Sequence, residues 1–131
     1  MELDHIGVAV PALGPALERW RPIAGAPDGP PEVVASQGVR VAFLRAGPAE
    51  VELLEPTSPD SAVGRFLARR GEGLHHLAFR VPSVDTALAE VTQRGGAVVD
   101  RVGRPGSRGR RVGFAHPAAF DGVLVEFVER P

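Results

Sequence analysis

Two stretches of this chain resemble each other closely enough to indicate a duplicated module. The segment His5–Pro11 (HIGVAVP) matches His76–Pro82 (HLAFRVP), 71 positions later. A second match joins Val51–Glu55 to Val125–Glu129, 74 positions apart, so the second copy carries a small insertion. Because two collinear matches with nearly equal spacing rarely arise by chance, we expect an internal duplication to organise the fold.

Each copy opens with an alternating apolar strand that ends at a proline and is followed by a helix. In the second copy Ser83 is a suitable N-cap, and Gly95–Gly96 ends the helix. In the first copy Pro15 suits an early helical position, and Pro22 is expected to end the helix.

Three shorter strands are predicted in each copy: near 32–36, 39–44 and 50–55 in the first, and near 97–102, 110–115 and 123–128 in the second. The linker contains a helix that begins at Ser58-Pro59-Asp60. The sequence therefore predicts an α+β fold of two tandem βαβββ modules. We expect one domain over residues 1–131, with module one about 1–56, a linker helix about 57–70 and module two about 71–131.

Composition excludes several classes of function. Among the 131 residues there is no cysteine and no lysine, which excludes disulfides, thiolate metal sites and Schiff-base chemistry. The net charge of −1 gives no general attraction for nucleic acid. The amino terminus is acidic and no apolar stretch approaches the roughly 18 to 20 residues that span a bilayer. We therefore expect a cytoplasmic protein with no nucleic-acid or membrane partner.

Four residues at matched places in the repeat are the candidate metal ligands. His5 and His76 lie early in the first strand of each module, and Glu52 and Glu126 lie between apolar neighbours in the last strand. A single strand histidine or glutamate is usually structural, but the repeat correlates these four. If the modules pack about a pseudo-twofold axis, two imidazoles and two carboxylates form an octahedral site for a divalent ion, with two positions left for a ligand.

The other two histidines are expected to be structural. His75 matches Asp4 in the repeat, and His116, followed by Pro117, has no counterpart in module one and is predicted to lie in a loop.

The chain resembles the methylmalonyl-CoA epimerase family of the vicinal oxygen chelate superfamily. The resemblance covers almost the whole chain and rests on these segments: Leu3–Val10 (LDHIGVAV), Val51–Pro56 (VELLEP), Gly71–Phe79 (GEGLHHLAF), Arg110–Pro117 (RRVGFAHP) and Gly122–Glu126 (GVLVE). It implies a curved mixed sheet around a metal site. It also implies epimerisation of (R)- and (S)-methylmalonyl-CoA by α-proton abstraction through a metal-stabilised enolate.

The resemblance implies site residues and a cofactor. Glu126 resembles the family's glutamate that acts as ligand and base. Some members carry a second catalytic glutamate on the strand after Gln-Gly-Val, whereas this chain reads Gln37 to Ala42 (QGVRVA) without a carboxylate and has Glu52 at the ligand position. We therefore expect Glu52 and Glu126 to be the two proton carriers. By resemblance cobalt is the expected metal, and manganese, nickel, magnesium or zinc also suit the ligands.

The loop over residues 104–111 is basic and glycine-rich, and Arg108, Arg110 and Arg111 are candidate contacts for coenzyme A phosphates. A solvated hairpin is the equal alternative for this loop. The expected partners are a coenzyme A thioester and a second copy of the chain in a homodimer.

Three other functions are compatible with the sequence. A lactoylglutathione lyase-like isomerase is the nearest alternative. An extradiol dioxygenase needs only two histidines and one carboxylate. A metal-free binder of a small molecule such as an antibiotic does not need all four ligand positions.

Overall fold

The computed structural model describes residues 1–129, which form eight strands and three α-helices. The strands are β1 Glu2–Ala9, β2 Glu32–Val34, β3 Val39–Ala46, β4 Ala49–Pro56, β5 Gly73–Val81, β6 Arg104–Pro105, β7 Arg111–Ala115 and β8 Val125–Glu129. The helices are α1 Leu13–Ala24, α2 Ala62–Arg70 and α3 Val84–Gln93. Short 3-10 turns cover Ala35–Gln37, Ser107–Gly109 and Pro117–Ala119. No helix in the described part of the chain is long and apolar enough to cross a membrane.

The strands form a mixed sheet in the order β2-β3-β4-β1-β5-β8-β7-β6. β1 pairs with β4 and β5 pairs with β8 in parallel, whereas β2–β3, β3–β4, β6–β7 and β7–β8 are antiparallel. The order of one strand, one helix and three strands therefore occurs twice along the chain, with α2 between the two copies. The predicted fold class of two βαβββ modules is confirmed.

The chain divides into two compact units. The first unit is His5–His75, and the second unit combines Met1–Asp4 with the chain from His76 onward. The domain and module boundaries drawn from the sequence stay a prediction.

In the first unit, alternate strand residues build two apolar clusters. Val8, Leu44 and Leu53 pack with Leu13 and Ala16 of α1. Their immediate neighbours in the same strands point to the opposite face and form the second cluster. This cluster contains Ala9, Phe43 and Leu54, together with Val63 of α2. One helix therefore covers each face of these strands.

In the second unit, a helix packs on one face of the strands, as α1 does in the first unit. Val81, Val125 and Phe127 pack with Val84 and Leu88 of α3. Strand residues of opposite orientation form a smaller cluster: Ala78, Val112 and Val128. Helix α3 thus covers one face of the strands, and the other face carries His76 and Glu126, which alternate with the residues under α3.

Two helix boundaries differ from the prediction. Pro22 lies inside α1 and does not end it, because the helix is fixed on its strands by the fully buried Leu13 and Ala16 and by Ala24 beyond the proline. Packing therefore outweighs the loss of a backbone donor at proline. Helix α2 begins at Ala62, later than predicted, where the Ser61 hydroxyl accepts a hydrogen bond from the Gly64 N–H at 3.1 Å. The predicted N-cap of α3 is confirmed, since Ser83 accepts from Thr86 N–H.

The predicted strand over 97–102 is wrong. This segment makes only an isolated bridge between Val98 and Ala115, and the strand itself is the two-residue β6. The Asp100 carboxylate accepts the N–H of Phe114 at 2.9 Å, while the N–H groups of Val99 and Asp100 both donate to the Phe114 carbonyl. A side chain thus takes the place of a backbone partner, which ends the regular ladder.

The same carboxylate contact begins the first helix of each module. Glu55 at the end of β4 accepts the N–H of Leu13 at 2.9 Å, and Glu129 at the end of β8 accepts the N–H of Val84 at 3.0 Å. These glutamates close the repeated VELLE and VEFVE segments. Each satisfies a free N–H at a helix start and places negative charge at the positive end of the helix dipole.

We expect Glu55→Ala to destabilise the protein by about 1 to 2 kcal/mol, because it leaves the Leu13 N–H without its acceptor. Glu55→Gln keeps an acceptor oxygen and should cost less. Urea denaturation followed by circular dichroism measures both. Glu18→Ala, at an exposed position of α1, is the control and should change stability by less than about 0.5 kcal/mol. Equal effects of Glu55→Ala and Glu18→Ala would show that the contact adds nothing to stability.

Candidate metal centre

In the first unit, strand pairing sets His5 beside Glu52. The parallel register of β1 and β4 places Gly7 opposite Glu52, and His5 is two residues before Gly7, hence on the same face. The His5 Nε2 and Glu52 Oε1 atoms lie 3.2 Å apart. Both residues are buried, at 2% and 4% exposure.

The second unit repeats this pair with the same register. The parallel pairing of β5 and β8 places Ala78 opposite Glu126, and His76 is two residues before Ala78. The His76 Nε2 and Glu126 Oε1 atoms lie 3.1 Å apart, and both residues are again buried. The two matched spacings in the sequence therefore correspond to one structural pattern that occurs twice.

Each imidazole makes a perpendicular ring contact with a phenylalanine. The ring centroids of His5 and Phe43 lie 5.4 Å apart at 89°, and those of His76 and Phe114 lie 5.7 Å apart at 88°. Each phenylalanine is opposite the glutamate of its own unit, Phe43 opposite Glu52 and Phe114 opposite Glu126. Neither phenylalanine was predicted from the sequence, although the two are 71 positions apart, like the histidines.

The four predicted ligands form one group. One ligand atom from each of His5, Glu52, His76 and Glu126 lies within 4.8 Å of the others. A buried carboxylate is costly unless an opposite charge or hydrogen bonds compensate it, and two lie here. Two imidazole nitrogens and two carboxylate oxygens suit a divalent transition metal, so the group is compatible with a metal site.

The remaining histidines have other contacts. The His75 ring meets Phe66 of α2 at a centroid distance of 4.9 Å. His116 is exposed, and its Nδ1 accepts the N–H of Ala118 at 2.9 Å at the start of a 3-10 turn. Neither belongs to the His/Glu group.

The three predicted coenzyme A arginines differ in their surroundings. Arg110 is buried, and its Nη1 lies 3.1 Å from Asp4 Oδ2. Arg111 is exposed and pairs with Asp85 at 2.9 Å. Arg108 is exposed and has a left-handed backbone with φ 58°, which a residue with a side chain seldom adopts. Their contact with coenzyme A stays a prediction.

The carboxylates that meet these arginines also bind other groups. Asp4, fully buried, accepts from Arg80 Nε at 2.9 Å, and this carboxylate raises the pKa of the Arg80 guanidinium. The pKa of the Asp85 carboxyl is lowered, first by the hydrogen bond from the Gly103 N–H and then by Arg111. The ion pairs of Asp4 were not predicted from the sequence, because the repeat partner of Asp4 is His75 and the duplication offers no second example.

The family model that matches this chain is that of the glyoxalase/bleomycin resistance protein/dioxygenase superfamily, over residues 4–114. The chain belongs to this superfamily. Its two βαβββ modules and the buried His/Glu group agree with the assignment.

Relatives and solved structures narrow the assignment. The chain is 38% identical to YqjC of Bacillus subtilis, over 97% of this chain and 91% of that protein. It is 34% identical to the ethylmalonyl-CoA/methylmalonyl-CoA epimerase of Cereibacter sphaeroides, over 95% and 94%. A variant of the Streptomyces coelicolor methylmalonyl-CoA epimerase, in complex with 2-nitronate-propionyl-CoA, is 40% identical with a TM-score of 0.92, over 98% and 94%. Within the superfamily the chain therefore belongs to the methylmalonyl-CoA epimerase family.

Proposed function

We propose that this protein epimerises methylmalonyl-CoA with the help of one divalent metal ion held by His5, Glu52, His76 and Glu126. The observation that carries the proposal is the buried group of two imidazoles and two carboxylates in a chain of this family. Family relatives support the substrate, and the donor set supports the metal.

The reaction requires removal of the proton on the carbon between the thioester and the free carboxylate. The C–H bond breaks, its electron pair moves toward the thioester oxygen, and an enolate forms. A divalent cation in the site supplies positive charge that stabilises the negative charge developing on this oxygen. Return of a proton to the same face restores the starting isomer, and a proton on the opposite face inverts it.

Inversion therefore needs two proton carriers, one for each face of the planar enolate. We assign these roles to Glu52 and Glu126: one carboxylate takes the proton, and the other, protonated, gives its own to the opposite face. Their equivalent register positions on β4 and β8 support the assignment. Strand β3 has no carboxylate, and its Val41 is buried in an apolar cluster, so this strand offers no further proton carrier.

The phenylalanines fix the orientation of the imidazoles in this proposal. A ring edge against each histidine restricts rotation, so that Nε2 stays directed at the glutamate. Side chains that are already fixed lose less conformational entropy when the metal and the substrate bind.

The neighbouring histidines provide a sharp test of the metal site. His76→Ala removes one proposed ligand, and we expect Co²⁺ affinity to fall by about a hundredfold or more and metal to be lost on purification. His75→Ala should keep its metal, because His75 contacts Phe66 instead. Calorimetry with Co²⁺ and elemental analysis measure both. If His75→Ala loses the metal and His76→Ala keeps it, the ligand assignment is wrong by one residue.

Glu52→Gln separates metal binding from proton transfer. Glutamine keeps an oxygen donor but cannot act as the base, so the metal should remain and kcat should fall by about 10²- to 10⁴-fold. Deuterium exchange from solvent into one enantiomer should persist through Glu126. Glu55→Gln, on the same strand, is the matched control and should keep kcat near the native value. Near-native epimerisation by Glu52→Gln would remove Glu52 from the proton-carrier role.

The same assays decide between this function and its nearest alternative. Isomerisation of a glutathione hemithioacetal, without deuterium exchange into methylmalonyl-CoA, would assign the site to a lactoylglutathione lyase-like reaction. Absence of bound metal together with absence of both activities would favour a metal-free binding protein.

For the coenzyme A moiety we propose Arg108 of the basic loop as a contact, because this residue is exposed to solvent. Arg108→Ala should raise KM for the thioester severalfold and leave kcat nearly unchanged, as expected when uniform binding is lost. The effect should shrink at high salt because an exposed charge is screened. The matched control is Arg101→Ala, at another exposed arginine of this region. Unchanged KM in Arg108→Ala would make the loop a solvated hairpin.

A further inference from the structure

An arginine on the edge strand β6 lies on the same face of the second unit as Glu126. Arg104 of β6 is paired with Val112 of β7. Phe114, two residues further along β7, is opposite Glu126 of β8. Because residues two apart on a strand share a face, Arg104, Phe114 and Glu126 lie on one face of these three strands. The proposed reaction gives Arg104 no role.

Two contacts fix the Arg104 side chain. Its guanidinium carbon lies over the ring of Phe114, 5.5 Å from the ring centroid. Its Nε lies 3.2 Å from Asp100 Oδ1, and Oδ2 of the same carboxylate accepts the N–H of Phe114 at 2.9 Å. Asp100 therefore connects the guanidinium to the backbone that carries the ring, and the cation is held over Phe114.

Phe114 also contacts a proposed metal ligand. Its ring is perpendicular to that of His76, at a centroid distance of 5.7 Å. Phe114 is buried, whereas the side chain of Arg104 is 32% exposed. The guanidinium is therefore partly open to solvent and is separated from the imidazole of His76 by one aromatic ring.

The first unit has an acid at the position equivalent to Arg104. Glu32 of β2 is paired with Val41 of β3. Val41 is 71 positions before Val112, the strand partner of Arg104. The same strand pairing thus forms with a carboxylate in one unit and with a guanidinium in the other. Since the pairing does not require an arginine, the positive charge is better explained by a ligand than by the fold.

We propose that Arg104 binds the free carboxylate of the substrate and makes the site specific for thioesters of dicarboxylic acids. This inference rests on the proposed function, because it concerns the carboxylate on the carbon that loses its proton. A guanidinium has a planar fork of five N–H donors, which matches the two oxygens of a carboxylate. The ion pair with Asp100 is made through Nε and orients this fork.

The position of Arg104 favours this carboxylate over a coenzyme A phosphate. Because Arg104 lies over Phe114, which contacts His76, the guanidinium is near the reacting end of the thioester. The phosphates are at the other end of the pantetheine arm. A cation at this place also offsets the repulsion between the carboxylate and the negative charge that develops on the enolate.

Two thioesters that differ only by this carboxylate test the assignment. Acetyl-CoA is malonyl-CoA without its carboxylate, and both carry the whole coenzyme A moiety. In the Co²⁺-loaded protein, Arg104→Gln should weaken malonyl-CoA binding by about tenfold or more and change acetyl-CoA binding by less than about twofold. Isothermal titration calorimetry measures both affinities. Arg101→Gln, at an exposed arginine three positions earlier, is the control and should bind both thioesters like wild type.

Arg104→Lys keeps the charge without the fork and should lose severalfold in malonyl-CoA affinity. It decides the question if Arg104→Gln lacks a native circular dichroism spectrum. Equal losses for both thioesters would assign Arg104 to a coenzyme A phosphate and overturn the proposal, and so would native malonyl-CoA affinity in a folded variant. An epimerase assay of the wild type is a separate test: selective malonyl-CoA binding through Arg104 without epimerisation would overturn the proposed function and support this assignment.

Discussion

The parallel pairing of the first and last strands within each module is the constraint on which the candidate metal centre depends. β1 with β4 and β5 with β8 adopt the same register, so a histidine two residues before the paired position falls beside a glutamate in both cases. The resulting His–Glu distances, 3.2 and 3.1 Å, are nearly equal. A register shift of one residue in either pair would move the glutamate to the opposite face of the strands, against which α1 or α3 packs.

In the last strand of each module, two glutamates have separate structural roles. In VELLE and VEFVE the first glutamate faces a histidine and the second caps a helix, because the two are three residues apart and therefore point to opposite faces of the strand. The apolar residues between them enter the clusters on either side. One five-residue segment thus connects the candidate site, the helix start and the core of its unit.

The two copies of the repeat differ at particular positions. The buried ion pair of Arg110 and Asp4 has no counterpart in the first unit, His5–His75, where Val39 and His75 occupy the equivalent positions of the repeat. Val91 lines a cavity in the second unit, whereas Trp20, 71 positions earlier, packs against the apolar cluster of the first unit. At these departures from the repeat, one unit has contacts that the other does not.

The sequence by itself determined the two modules, most strand positions and the four candidate ligands, because repeated spacing and alternation record the strand face of each residue. It could not determine that α1 continues through Pro22, because this depends on the burial of Ala24 in the core. It also could not determine that Asp100 ends the expected strand, because this depends on the hydrogen bond from Phe114. Nor could it show the perpendicular contacts between phenylalanines and imidazoles, the buried ion pair of Arg110 with Asp4, or the cavity that Val91 lines. Each of these depends on which side chains distant in the chain meet, and only tertiary packing decides that.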